Sequence, residues 1–112
     1  MTTIDITEKR IEEFIEKLRP SLAKRDLLDF SYQIENQTIE LLEVRPKDYR
    51  NPIEKRSFPF AQAKYIKSKQ VWKIYWKDSS LKWKVYEPLP EVNTVVKFIN
   101  EVEADKYHCF FG

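Results

Sequence analysis

Lysines and tyrosines alternate with apolar residues through the middle of the chain. If this region forms three antiparallel strands, one face of the sheet carries Lys64, Lys73, Tyr75, Lys77, Lys82, Lys84 and Tyr86. Such a combination binds single-stranded nucleic acid, because ammonium groups contact phosphates and aromatic rings stack on bases. The same residue types also keep the open face of a sheet soluble. Both interpretations stay open at this point.

A second basic group lies in the segment 46–59, which contains three prolines and no apolar period. This composition predicts a long loop, and long ordered loops in small domains often have a functional role. Arg50, Lys55 and Arg56 are its candidate anion-binding residues. The alternative is a solvated connection whose aromatic residues pack back onto the sheet.

Three carboxylates on the first predicted hairpin suggest a different chemistry. Asp29 precedes Glu40 and Glu43 in a spacing like that of nucleases that hold Mg²⁺ and activate water. Such sites place a lysine where this chain has Arg45, and an arginine does not give up its proton. Alternating surface charges on an edge hairpin explain the same residues.

His108 and Cys109 are the only histidine and the only cysteine. A Cys–His pair can generate a thiolate nucleophile, but neighbours on an extended segment point to opposite sides. Two ligands are also too few for a zinc site. We therefore expect a packed tail, with no catalytic residue, metal or cofactor, and a thiol suited to a reducing cytoplasm.

Two amphipathic helices are predicted to bracket the strands. The first starts with Thr7 as its cap and ends before Pro20, with one apolar stripe of Ile11, Phe14, Ile15 and Leu18. The second starts with Thr94 as its cap, with an apolar side of Val92, Val95, Val96, Ile99 and Val102.

Between the helices, period-two alternation predicts strands at 28–35 and 38–45 and three more over 61–86. Simple pairing of the first hairpin places Phe30 opposite Glu43, so we expect a β-bulge at Leu41-Leu42 that brings Val44 opposite Phe30. Pro88 and Pro90 are expected to end the sheet.

The pattern also predicts the register of the last three strands. Pairing Tyr65 with Trp72 and Ala61 with Trp76 places small residues against large ones. An even-numbered loop at Ser79-Ser80 then places Trp83 opposite Trp76. This register puts the tryptophans on the face under both helices and leaves Tyr86 on the other face.

The length of 112 residues is typical of a single domain, which we expect to cover residues 1–112. The net charge of +2 conceals a central block, since residues 46–86 carry eleven basic and three acidic side chains. No apolar run is long enough to span a membrane, and no secretory signal is visible.

Three stretches have an unusual sequence: ELLEVRP at 40–46, KYIKSKQVWKIYW at 64–76 and LKWKVYEPLPEV at 81–92. Together with the terminal CFFG at 109–112, they resemble a family of small bacterial proteins known only as a domain of unknown function. The resemblance covers nearly the whole chain, and it implies no reaction, cofactor or partner.

The sequence thus predicts an α+β domain, with a meander of about five antiparallel strands and both helices packed on one face. The favoured function is a non-enzymatic binding or accessory domain for an anionic partner, with nucleic acid ahead of an acidic protein. Self-association through a sheet edge is a further expectation. A metal-dependent nuclease is the alternative.

Overall fold

The computed structural model describes residues 3–111 and consists of an antiparallel sheet between two helices. Five strands follow one another in chain order, a short sixth strand also pairs with β4, and a 3-10 turn spans Leu22–Lys24. The elements are α1 (Thr3–Leu18), β1 (Asp29–Glu35), β2 (Thr38–Asp48), β3 (Asn51–Ile66), β4 (Val71–Lys77), β5 (Trp83–Val85), β6 (Glu91–Val92) and α2 (Val95–Ala104). The predicted fold class is therefore confirmed.

Both helices bury their apolar stripes against the same face of the sheet, which we call the inner face. Phe14 of α1 and Phe98 of α2 share one core with Ile39, Leu41 and Ile74. The first helix begins at Thr3, so the predicted start at Thr7 was wrong. The Thr94 cap is confirmed, because its hydroxyl accepts a hydrogen bond from the backbone N–H of Lys97 at 3.3 Å.

The predicted bulge in the first hairpin was wrong. β1 and β2 pair without interruption, and Phe30 stands opposite Glu43. Two irregularities lie instead between β2 and β3, and the one at the Leu41/Leu42 step has Phe60 as an extra residue, with both Phe60 and Ala61 buried. Phe30 then packs edge-on against Phe60, with ring centroids 6.1 Å apart, and does not need Val44.

The segment predicted to be a long loop is also strand. β2 and β3 continue as a hairpin to Asp48 and Asn51, beyond the last pairings with β1 at Val44 and with β4 at Ala61. We call residues 45–59 the ribbon. Most of its side chains are exposed, so no apolar alternation marks its strands in the sequence, although their backbones are paired.

The loop between β4 and β5 has five residues, not the even number predicted. Lys77 pairs with Trp83 and Trp76 with Lys84. The Asp78 carboxylate holds this loop, because it accepts hydrogen bonds from the backbone N–H groups of Ser80 and Lys82 and from the Ser80 hydroxyl. A shift of one residue exchanges the two faces of a strand. Trp83 therefore lies on the outer face.

Replacing Asp78 with alanine is expected to lower the urea midpoint of unfolding at pH 7. The Ser80 hydroxyl and the Lys82 N–H hold the pKa of Asp78 well below its usual range. The stabilisation is thus complete above the unfolded-state pKa of about 4 and declines as the pH falls towards the lowered folded-state pKa.

The control for this prediction is Asp78→Asn, which keeps one acceptor oxygen and removes the charge. Its midpoint should lie between those of the wild type and Asp78→Ala at pH 7. The gap between wild type and Asp78→Ala should narrow in urea titrations below pH 4. Equal midpoints at pH 7 would show that the carboxylate does not hold the loop.

The chain after β5 returns to the sheet, contrary to the expectation that Pro88 and Pro90 end it. Val92 of β6 pairs with Trp72 of β4. After α2, the Asp105 carboxylate accepts hydrogen bonds from the N–H groups of Phe110 and Phe111, and the tail packs onto the inner face. Within residues 3–111, neither helix has the length and apolarity needed to cross a membrane.

Candidate functional site

The outer face of the sheet, opposite the helices, carries a cluster of lysines and aromatic rings. Lys64 and Lys73 stand directly opposite each other on β3 and β4. Their ammonium groups lie 5.4 and 5.8 Å from the centroid of the Tyr75 ring. Further along, the ammonium group of Lys77 lies 5.0 Å from the centroid of the Trp83 ring. We call these five residues the lysine–aromatic surface.

The three lysines of this surface have no carboxylate partner among the described side chains. Glu91 on β6 is the direct cross-strand partner of Lys73, and its carboxylate pairs with Lys69 at 3.3 Å. Like charges placed directly opposite each other repel. The Tyr75 ring offsets part of this repulsion through its negative face. The surface therefore brings three ammonium groups close to two aromatic rings.

A polar row runs across the sheet from the first strand to this surface. The Glu40 carboxylate accepts hydrogen bonds from the side-chain amides of Gln33 and Gln62, both at 2.7 Å. Gln62 stands opposite Tyr75, so this row borders the Tyr75 ring. The row supplies amide groups on a rigid strand rather than on a mobile loop.

Three residues predicted for this face lie elsewhere, because the odd-numbered loop changes the register. Tyr86 is fully buried on the inner face, where its backbone N–H donates to the carbonyl of Ile74. Lys84 stands opposite Trp76 and pairs with Asp78 at 3.2 Å. Lys82 belongs to the loop itself. The prediction that Lys82, Lys84 and Tyr86 share the outer face was thus wrong.

Trp83 lies on the lysine–aromatic surface, although the apolar pattern of the sequence predicted that it belongs to the core. A local signal for its position was present in Asp78-Ser79-Ser80, since an aspartate two residues before a serine favours a side-chain-to-backbone turn. Such a turn fixes the length of the β4–β5 loop through the Asp78 side chain, so the apolar pattern does not determine that length.

Tyr86 instead belongs to a buried polar network on the inner face. Its hydroxyl donates to the Glu101 carboxylate at 2.9 Å, and Lys106 pairs with the other carboxylate oxygen at 3.3 Å. Burial, together with the hydrogen bond to Glu101, raises the pKa of Tyr86 above its usual value. The network is structural, since each member has a partner within it.

The predicted anion-binding residues of the ribbon are partly paired within the protein. Arg50 contacts the carboxylate of Asp48, and the Lys55 ammonium donates to the backbone carbonyl of Asp26. Arg56 lies over the ring of Phe58, with its guanidinium carbon 5.6 Å from the centroid. Of the three, Arg56 is the one without a carbonyl or carboxylate partner among the described residues.

The carboxylates suggested for a nuclease do not come together. Asp29 forms a two-point ion pair with Arg19 at 2.9 and 3.0 Å, which holds the pKa of Asp29 below its usual range. Glu43 contacts Arg45 at 3.1 Å, and Glu40 lies in the polar row described above. Among residues 3–111, no group of three or more metal-binding side chains forms.

The His108-Cys109 pair also lacks the geometry of a nucleophile. His108 is exposed, and the Cys109 thiol is half-buried, 3.9 Å from the carbonyl of Tyr107. Burial, with a smaller contribution from Asp105, raises the pKa of Cys109. A raised pKa keeps the thiol protonated and therefore weakly nucleophilic.

Comparison with known proteins adds a family. A family model described as "Domain of unknown function (DUF3024)" matches residues 1–112, which confirms the resemblance indicated by the three sequence stretches. No curated protein and no solved structure matches the chain. The match brings no activity, ligand or partner with it.

Proposed function

The chain belongs to DUF3024, a family whose description assigns no activity, and we propose from its surface that it is a binding domain for single-stranded nucleic acid. The lysine–aromatic surface is the binding site. Lys64, Lys73 and Lys77 contact phosphates, while Tyr75 and Trp83 stack on bases. In this proposal the protein acts in the cytoplasm and carries out no reaction of its own.

One observation carries this proposal: three lysines without carboxylate partners lie beside two aromatic rings on a sheet face that the helices leave open. Sheet faces with aromatic residues on central strands are a common platform for unpaired bases. Stacking accepts any base, because every base has a flat π face. The expected ligand is therefore single-stranded, with little sequence preference.

An acidic protein is the less favoured anionic partner. It would pair with the lysines but would gain little from flat aromatic faces between them. A double-stranded nucleic acid is also less favoured, since its bases are already stacked on one another. The lysine–aromatic pairing, not the positive charge alone, therefore favours single strands.

The test is a titration of a fluorescently labelled oligothymidylate, followed by anisotropy across a series of salt concentrations. The wild type should bind at low salt, and its affinity should fall steeply as salt rises. The double variant Lys73→Ala/Lys77→Ala removes two phosphate contacts. It should reduce the slope of log K against log salt by about 1.4, since each contact contributes about 0.7 for single strands.

The matched control is Lys9→Ala/Lys97→Ala, which removes the same charge from exposed positions on the two helices. It should leave the salt slope unchanged. An equal loss in both double variants would point to net charge alone and would contradict a defined site. Absence of binding by the wild type at low salt would refute the proposed function.

A further inference from the structure

A cleft of about 320 Å³ opens where the base of the ribbon, the β4–β5 loop and the carboxyl-terminal tail meet. Its lining includes Glu43, Arg45, Phe58, Lys77, Leu81 and Cys109. The volume is at the lower end of the range for small-ligand sites. The walls combine apolar side chains with groups of both charges, so the cleft suits a ligand that has a flat apolar part and a charged part.

Two apolar residues of the cleft are exposed. Leu81 has 75% of its surface exposed and Phe58 has 42%. Leu81 also has a φ of 62°, a left-handed conformation that is uncommon for a branched residue such as leucine. The Asp78 carboxylate imposes this conformation through the loop. The protein thus keeps an apolar side chain at the mouth of the cleft in a conformation that is costly.

The ribbon contributes positive charge at the same place. Arg45 and Arg56 are direct cross-strand partners, an arrangement in which like charges repel. Glu43 neutralises Arg45, whereas Arg56 lies over Phe58, a wall residue of the cleft. A guanidinium group placed over an aromatic ring still presents N–H donors that can bind a phosphate.

Lys77 connects the cleft with the lysine–aromatic surface. Lys77 is one of the residues that line the cleft, and its ammonium group lies over the Trp83 ring on the outer face. Asp78 also lines the cleft, but its carboxylate is occupied by the loop and by Lys84. Lys77 therefore belongs both to the lysine–aromatic surface and to the lining of the cleft.

From this arrangement we infer that the cleft is a nucleotide subsite at one end of the single-strand site. One unstacked base occupies the apolar cleft lined by Phe58 and Leu81, and the adjoining phosphate contacts Arg56. This inference rests on the proposed function and deepens it. It places one end of the bound single strand at the cleft and gives the base of the ribbon a role in binding.

The test compares Arg56→Ala/Phe58→Ala with the control Lys47→Ala/Ile53→Ala. Each double variant removes one basic and one exposed apolar residue from the ribbon, but Lys47 and Ile53 lie near its tip and do not line the cleft. Binding of labelled oligothymidylate to the cleft variant should weaken about tenfold. The tip variant should bind within about twofold of the wild type.

A second readout uses Cys109, the one cysteine of the chain, which lines the cleft. Bound oligothymidylate should slow the reaction of this thiol with iodoacetamide in the wild type and in the tip variant. The protection should be lost in the cleft variant at an oligonucleotide concentration that saturates its remaining site.

The outcomes separate the two proposals. Tight binding with equal affinities for both double variants, and no protection of Cys109, would overturn the subsite while leaving the outer-face site intact. Absence of any binding by the wild type would overturn both. Weaker binding by the cleft variant together with loss of Cys109 protection is the result that the subsite requires.

Discussion

Replacement of Tyr86 with alanine is expected to lower the free energy of unfolding by about 3–5 kcal/mol, the usual cost of removing a buried aromatic side chain. Tyr86 has no exposed surface, and its ring packs against Phe110 with centroids 5.0 Å apart. The substitution also removes the hydroxyl that donates to Glu101, a buried carboxylate. Urea unfolding at pH 7 measures the change.

Two further variants separate the contributions to this loss. Tyr86→Phe keeps the ring and removes only the hydroxyl, so it should cost about 1–3 kcal/mol, the range for a buried polar group that loses a partner. Tyr75→Ala removes a ring from the outer face and should cost no more than about 1 kcal/mol. A Tyr86→Ala variant as stable as Tyr75→Ala would contradict the register of β5.

The other large effect concerns binding. The double variant Tyr75→Ala/Trp83→Ala should weaken binding of single-stranded oligothymidylate by about 30-fold or more. Each stacked base contributes about 1–3 kcal/mol, and 1.4 kcal/mol corresponds to a factor of ten. Anisotropy titration at low salt provides the measurement, and urea unfolding checks that the variant remains folded.

The control for the aromatic variant is Tyr107→Ala, which removes an exposed ring near the carboxyl terminus. It should bind like the wild type. Tyr75→Phe/Trp83→Phe keeps two stacking faces and should recover most of the affinity. Weak binding by this conservative variant would indicate that the rings act through the fold and not through the bases.

Trp83 is informative in both experiments, because the predicted register and the observed register place it on opposite faces of the sheet. In the register predicted from the pattern, Trp83 faces the helices, and its loss would destabilise the protein. In the structure it lies on the outer face beside Lys77, and its loss should weaken binding with little change in stability. A stability and a binding measurement on Trp83→Ala together distinguish these registers.

Several elements were predicted correctly because their signals are local. The apolar stripe of α1 and the Thr94 cap of α2 depend on residues within one or two helical turns of one another. The register of β3 and β4 was also predicted, since small Ala61 and Ala63 face Trp76 and Ile74. For Lys64, Lys73, Tyr75 and Lys77, a common face follows from this register.

The lysine–aromatic surface therefore has two parts. The residues before the β4–β5 loop were predicted from the sequence, and the residue after it was not. Alternation within the sequence determined that Lys73, Tyr75 and Lys77 share one side of β4. The tertiary structure decided that Trp83 joins them and that Tyr86 does not, because the loop length depends on the hydrogen bonds that the Asp78 carboxylate accepts from the N–H groups of Ser80 and Lys82. Alternation relates the residues of one strand, whereas register between strands changes faces with a single residue.

The same reason explains the ribbon and the bulge at Phe60. A strand exposed on both faces has no apolar period, so pairing over 45–59 became visible only through its backbone hydrogen bonds. The cleft at its base depends on residues far apart in the chain, from Phe58 through Leu81 to Cys109. The sequence by itself determined the fold class and the common face of Lys64, Lys73, Tyr75 and Lys77. The packing of distant segments decided that Trp83 joins this face.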